Sequence, residues 1–74
     1  MSNDKRIMIL GDNPESAVIV ETANAMGCYT VVVGINTDTR PKKIASVAYD
    51  INALDVDGLC AIAKKEKVNA VMVG

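Results

Sequence analysis

Three times this chain runs through a short unbroken apolar segment and stops at a glycine: "RIMILG" at Arg6–Gly11, "YTVVVG" at Tyr29–Gly34 and "NAVMVG" at Asn69–Gly74. Apolar residues that do not alternate with polar ones leave no side for solvent, so each run reads as a strand covered on both faces, the habit of parallel sheets. Parallel strands need crossovers, and the intervening sequence supplies them. Pro14 suits the first turn of a helix, where its missing N–H costs nothing. Asn13 just before it is a candidate N-cap, and Glu15 suits the positive end of the helix dipole. This helix is expected to run to about Met26, with Gly27 closing it. Asp55 opens a second helix over about Val56–Lys67, with Val56, Leu59, Ile62 and Ala63 on one face and Lys64 and Lys65 on the other. Between them "KIASVA" reads as a helical turn and "YDIN", Tyr49–Asn52, as a brief third strand.

The resulting order is β-α-β-loop-β-α-β, which predicts an α/β, Rossmann-like open parallel sheet of about four strands with helices on both faces. In the strand order 3-2-1-4, the first and fourth strands meet at the topological switch point. Ligands of such folds bind there, at the carboxyl ends of the strands. Gly11 and Gly74 are then expected side by side at that rim.

Composition narrows the function classes. Eight basic residues against nine acidic ones leave a net charge of −1, which gives no electrostatic reason to expect nucleic acid or an anionic membrane as partner. Tyr29 and Tyr49 are the only aromatics, so a base-stacking platform is also unsupported. Histidine is absent, and Cys28 and Cys60 stand far apart, too few ligands for a zinc site. Both read as buried thiols in a reducing compartment. Met1–Lys5 is polar and Ile7–Leu10 is too short for a signal sequence or a membrane span, which points to a cytoplasmic protein.

The first helix carries a further expectation. Val18, Ile19, Val20, Ala23, Ala25 and Met26 spread over an arc of roughly 200°, against the ~100° of an ordinary surface helix, leaving Ala17, Glu21 and Asn24 as a narrow solvent face. Such a helix is buried on two sides, one against the sheet and one against a further domain or a second copy of the chain. The last strand also ends on a glycine without a polar tail or capping helix. Residues 1–74 therefore read as a single domain of a longer protein.

Dinucleotide-binding folds place G-x-G-x-x-G between first strand and helix, so that backbone can approach a pyrophosphate. Here the window is "GDNPES", which keeps one glycine, adds the charge of Asp12 and loses the Pro14 N–H. No acidic residue stands at the end of the second strand to hold a ribose. No P-loop motif occurs. The helix N-terminus beside Asn13 and Ser16 still suits an anion or a small polar substrate, with plain capping as the alternative. Arg40, Lys42 and Lys43 read as a solvated basic loop, with closure over a phosphate as the alternative.

The ordered set "KRIMILGDNP", "AMGCYTVVVGIN" and "RPKKIASVAYDINALDVDGLCAIAKKEKVNAVMVG" resembles the N-terminal domain of ATP-grasp ligases. The subgroup is the one containing carbamoyl-phosphate synthase large chains and the purine-pathway carboxylate–amine ligases. The resemblance runs from Lys5 to Gly74. It implies a protein that activates a carboxylate as an acyl phosphate with ATP and Mg2+ and lets an amine attack it. The nucleotide and metal ligands would then lie in further domains, with no cofactor in this piece, which alone is expected to be inactive. Carried over by position, the substrate-side residues are Gly11, Asp12, Asn13, Pro14 and Glu15, with Asn36 at the end of the second strand. The implied partners are a small-molecule substrate and the remaining ATP-grasp domains. Two positions differ from the family's habit: Pro14 stands where the purine enzymes often carry Glu, and Ser46 where Asp commonly follows Ala. Two other classes stay open, an NAD(P)-binding domain of an oxidoreductase and a non-catalytic module that forms a homodimer through the first helix.

Overall fold

The computed structural model describes residues 5–73. Its elements are β1 (Arg6–Leu10), α1 (Pro14–Ala25), β2 (Tyr29–Val33), α2 (Arg40–Ile44), β3 (Val47–Tyr49), α3 (Val56–Glu66) and β4 (Ala70–Val73). The four strands form one parallel sheet in the order β3-β2-β1-β4. The switch point between β1 and β4 is present as expected, with Ile7 opposite Ala70 and Leu10 opposite Val73. The expectation for Gly74 lies outside the described residues.

Alternate residues of the central strands feed two cores. Met8, Val31 and Val33 point to one face and meet Ile62, with Leu59 and Ala63 of α3 packed around them. Ile9 and Val32 point to the other and meet Val20 of α1, flanked by Ile19 and by Ile44 of α2. Ile9, Val20, Val31, Val32 and Val33 are fully buried. Each contributes about 1.5–3 kcal/mol relative to exposure. Helices therefore cover both faces, α1 and α2 on one side and α3 on the other.

Local signals set the helix ends. Asn13 caps α1, its Oδ1 accepting from the Ser16 N–H at 3.0 Å. Gly27, at φ 82°, takes the left-handed turn after Met26. Asp55 caps α3 through the Gly58 N–H at 3.0 Å.

Several expectations are corrected. Strand β3 is Val47–Tyr49, not Tyr49–Asn52, and the helical turn lies earlier, at Arg40–Ile44. The reason lies in Ser46: the Thr30 N–H donates to its Oγ at 3.0 Å, and its own N–H donates to Thr30 Oγ1 at 2.9 Å. This reciprocal pair stops the helix and starts the strand beside β2. Of the three residues expected on the solvent side of α1, Glu21 and Asn24 are exposed, while Ala17 is buried. Glu21 is ion-paired with Arg40, and the Asn24 amide donates to the Ile44 carbonyl at 2.8 Å. Val18, Thr22, Ala25 and Met26 also meet solvent, so the apolar arc is not covered throughout. Val56, placed on the core face by periodicity, is exposed, and α3 meets the core through Leu59, Ile62 and Ala63. Cys28 is buried but Cys60 is not. No helix among the described residues is long and apolar enough to cross a membrane.

Candidate functional site

At the carboxyl rim of the sheet, Gly11 turns the chain out of β1 at φ 124° while its N–H still donates to the Val33 carbonyl at 2.9 Å. The next side chain, Asp12, then reaches across to the segment after β2. Its Oδ2 accepts from the Asn36 N–H at 2.9 Å and its Oδ1 from the Asn36 side-chain amide at 3.2 Å. A Cβ on Gly34 would collide with this carboxylate, so glycine is required there for space.

Lys42 joins the same network from α2. Its ammonium donates to the Gly34 carbonyl at 2.7 Å, to Asp50 Oδ1 at 2.6 Å and to the Asn36 carbonyl, and lies 3.7 Å from Asp12 Oδ2. Its side chain is only 5% exposed, which rules out the solvated reading of this residue and leaves it no free hand for a phosphate. A single buried cation thus ties together the ends of β1, β2 and β3.

Of the residues expected at the site, Gly11, Asp12 and Asn36 meet in this network. Asn13 folds back as the helix cap, and its Oδ1 also accepts from the Ser16 hydroxyl at 3.2 Å. Pro14 and Glu15 are exposed at the start of α1. Pattern reading took Lys42 for a solvated loop lysine, with a phosphate contact as the alternative, and missed Asp50. One signal pointed to Asp50: Asp12, Asn36 and Asp50 each follow the end of a strand by at most three residues, where rim residues sit. Nothing in the sequence marked Lys42 as buried.

Beside the network, a cleft of about 420 Å³ opens between α1 and α2. Asp12, Pro14, Glu21, Arg40 and Thr39 line it, and the Thr39 hydroxyl is buried without a partner. Pro14, Ala17, Val18 and Pro41 make much of its wall apolar, and its Asp12 and Arg40 are already engaged by Asn36 and by Glu21. Among the described residues no group of three or more His, Cys, Asp or Glu is placed to hold a metal ion.

A second polar cluster lies under α3, away from the rim. Buried Glu66 accepts from the Tyr49 hydroxyl and from the Tyr29 hydroxyl at 3.4 Å, and sits 3.5 Å from the Arg6 guanidinium. Arg6 in turn lies over the Tyr29 ring, 3.9 Å from its centroid. The hydrogen bond to Glu66, then burial, then the negative charge of Glu66 and the nearby Tyr29 raise the Tyr49 phenol above its ordinary pKa. This cluster clamps α3 to the sheet.

No family model and no curated protein matches the sequence. Solved structures do match the fold. N5-carboxyaminoimidazole ribonucleotide synthetase from Thermotoga maritima is 18% identical with a TM-score of 0.82, over 95% of this chain and 19% of that one. The Staphylococcus aureus N5-carboxyaminoimidazole synthetase, complexed with ADP, is 18% identical with a TM-score of 0.86, over 99% of this chain and 19% of its own. An ADP complex of a further N5-carboxyaminoimidazole ribonucleotide synthetase is 16% identical with a TM-score of 0.85, over the whole of this chain and 19% of its own. The chain spans about a fifth of the length of these synthetases, and over that fifth it has their fold.

Proposed function

We propose that the chain is the substrate-side, N-terminal domain of an ATP-grasp carboxylate–amine ligase. The observation that carries this reading is the likeness, over nearly the entire chain, to three synthetases of that kind. In this reading the Gly11–Glu15 turn and Asn36 orient a small polar substrate at the rim. Asp12 and Lys42 hold the turn and the β2–α2 segment in one geometry. Such preorganisation matters because a ligand gains little from donors that must first be ordered.

ATP with Mg2+ would supply activation of the carboxylate as an acyl phosphate. This chain's rim does not fit the nucleotide's phosphates. The Asp12 carboxylate fills the space beside Gly34 where a phosphate would need to approach, and Pro14 offers no N–H. Nucleotide and metal would therefore bind to other polypeptide, and the chain alone has no ligase turnover. The same geometry argues against the NAD(P) alternative, because a pyrophosphate would meet a carboxylate where the glycine-rich turn presents bare backbone.

The test is amide-resolved NMR titration of the labelled chain with a ribosyl amine that carries no phosphate (aminoimidazole riboside), with Mg-ATP and with NAD(P), each at about millimolar concentration. Shifts confined to the Gly11–Glu15 turn and Asn36, given by the ribosyl amine and by neither nucleotide, are the expected result. Shifts of that turn by NAD(P) would replace the ligase reading with the oxidoreductase one.

A further inference from the structure

The exposed side of α1 carries a stripe that its position in the sheet leaves open. Val18 and Met26 are 64% and 65% exposed, with Thr22 between them. Residues 18, 22 and 26 follow one another at steps of four, the ridge used in the commonest helix–helix packing. Alongside the ridge runs an apolar groove of about 360 Å³, to which Ile7, Ile19 and Met72 contribute.

The handedness of the fold says what does not fill this groove. Right-handed crossovers place α1 and α2 on one face as the chain moves from β1 to β3, and α3 on the other as it returns to β4. A helix leading from β4 to a strand beyond it would move in the same direction as α3 and lie on the α3 face. The groove is therefore not the place for the sheet's own next crossover.

We propose that this face is a self-association surface, on which two copies of the chain pack α1 against α1, antiparallel, across a two-fold axis through Thr22. The stripe is self-complementary about that residue. Val18 and Met26 stand equally far from it along the helix, so each Val18 meets the partner's Met26. Thr22 brings no unsatisfied hydroxyl to the axis, since its Oγ1 already donates to the Val18 carbonyl at 2.9 Å. Charges also match. Glu15 lies at the start of α1 and Lys5 lines the groove at the Met26 end, so the antiparallel pair brings Glu15 toward the partner's Lys5. A helix of 12 residues is ~18 Å long, and one such pair with its flanking strand buries less than the ~1,200 Å² of a standard interface. Association of the chain is therefore expected to be weak, with a dissociation constant on the order of 100 µM.

Sedimentation equilibrium across about 10 µM to 1 mM reads this directly. A monomer–dimer equilibrium is expected, weakened at least tenfold by Val18→Asp or Met26→Asp, with circular dichroism checking that these exposed substitutions leave the fold intact. Independently, Thr22→Cys in a Cys60→Ser background is expected to form a disulfide-linked dimer under mild oxidant, and faster than Lys64→Cys on α3 in the same background. A chain monomeric at 1 mM, a dimer indifferent to Val18→Asp, or crosslinking no faster at position 22 than at position 64 would each overturn the proposal.

Discussion

Replacing Lys42 by methionine keeps most of the side-chain volume and removes the charge at the centre of the rim. Three charge-assisted hydrogen bonds disappear, to the Gly34 and Asn36 carbonyls and to Asp50. At ~1.5–3 kcal/mol each they would sum to more than a domain of this size can lose. The sum overstates the effect. Asp50 is 55% exposed and rehydrates, and burying the ammonium was itself costly. What cannot rehydrate well is Asp12, whose side chain is 11% exposed and keeps only its two Asn36 donors. Removing one partner of a buried pair costs about 3–5 kcal/mol, and the lower end suits a pair still 3.7 Å apart. A loss of ~3 kcal/mol corresponds to a fall in Tm of roughly 12–24 °C for so small a domain. Urea denaturation followed at 222 nm measures it, with Asp50→Asn as the exposed comparison at under ~1 kcal/mol. Adding Asp12→Asn to Lys42→Met is expected to recover part of the loss, because it removes the uncompensated carboxylate. A loss below about 1 kcal/mol for Lys42→Met, or no recovery in the double variant, would refute the buried-cation account.

Two other perturbations have definite outcomes. Gly34→Ala forces a Cβ into the Asp12 carboxylate, and ~1–3 kcal/mol of destabilisation is expected in the same urea assay, with the Asn36 amide resonance displaced. For Tyr49 the folded-state pKa is raised, so the protonated phenol contributes stability that is complete below the ordinary tyrosine value of 10.0 and is lost as pH rises through the higher folded value. Absorbance at 295 nm is expected to show one phenol ionising late and together with unfolding, and Tyr49→Phe is expected to abolish that late phase and flatten stability above pH 10.0.

Much of the rim was legible and part of it was not. Asn13 stood out as a cap because a strand end followed by a polar residue and a proline is a local pattern, and local patterns record neighbours along the chain, whereas Asp12 and Asn36 were named through the resemblance to the ATP-grasp N-terminal domain. Lys42 looked like any lysine in a basic loop. Its burial depends on where α2 lands relative to β2 and β3, and that landing is set by the Thr30–Ser46 pair, which joins residues far apart in sequence.

By itself, the sequence determined the parallel order of the sheet and the helix caps. Unbroken apolar runs, a proline at N1 and Asn or Asp just before a helix act within a few residues and need no partner to be read. Which side of α1 faces water, where β3 begins and which charges are buried were decided only by tertiary structure. Helix α1 is apolar nearly all round, so periodicity alone could not say whether Ala17 or Val18 would be covered. The docking of α2, held at its edge by the Asn24 amide and the Arg40 guanidinium, came with burial of Ala17 and left Val18 and Met26 in solvent.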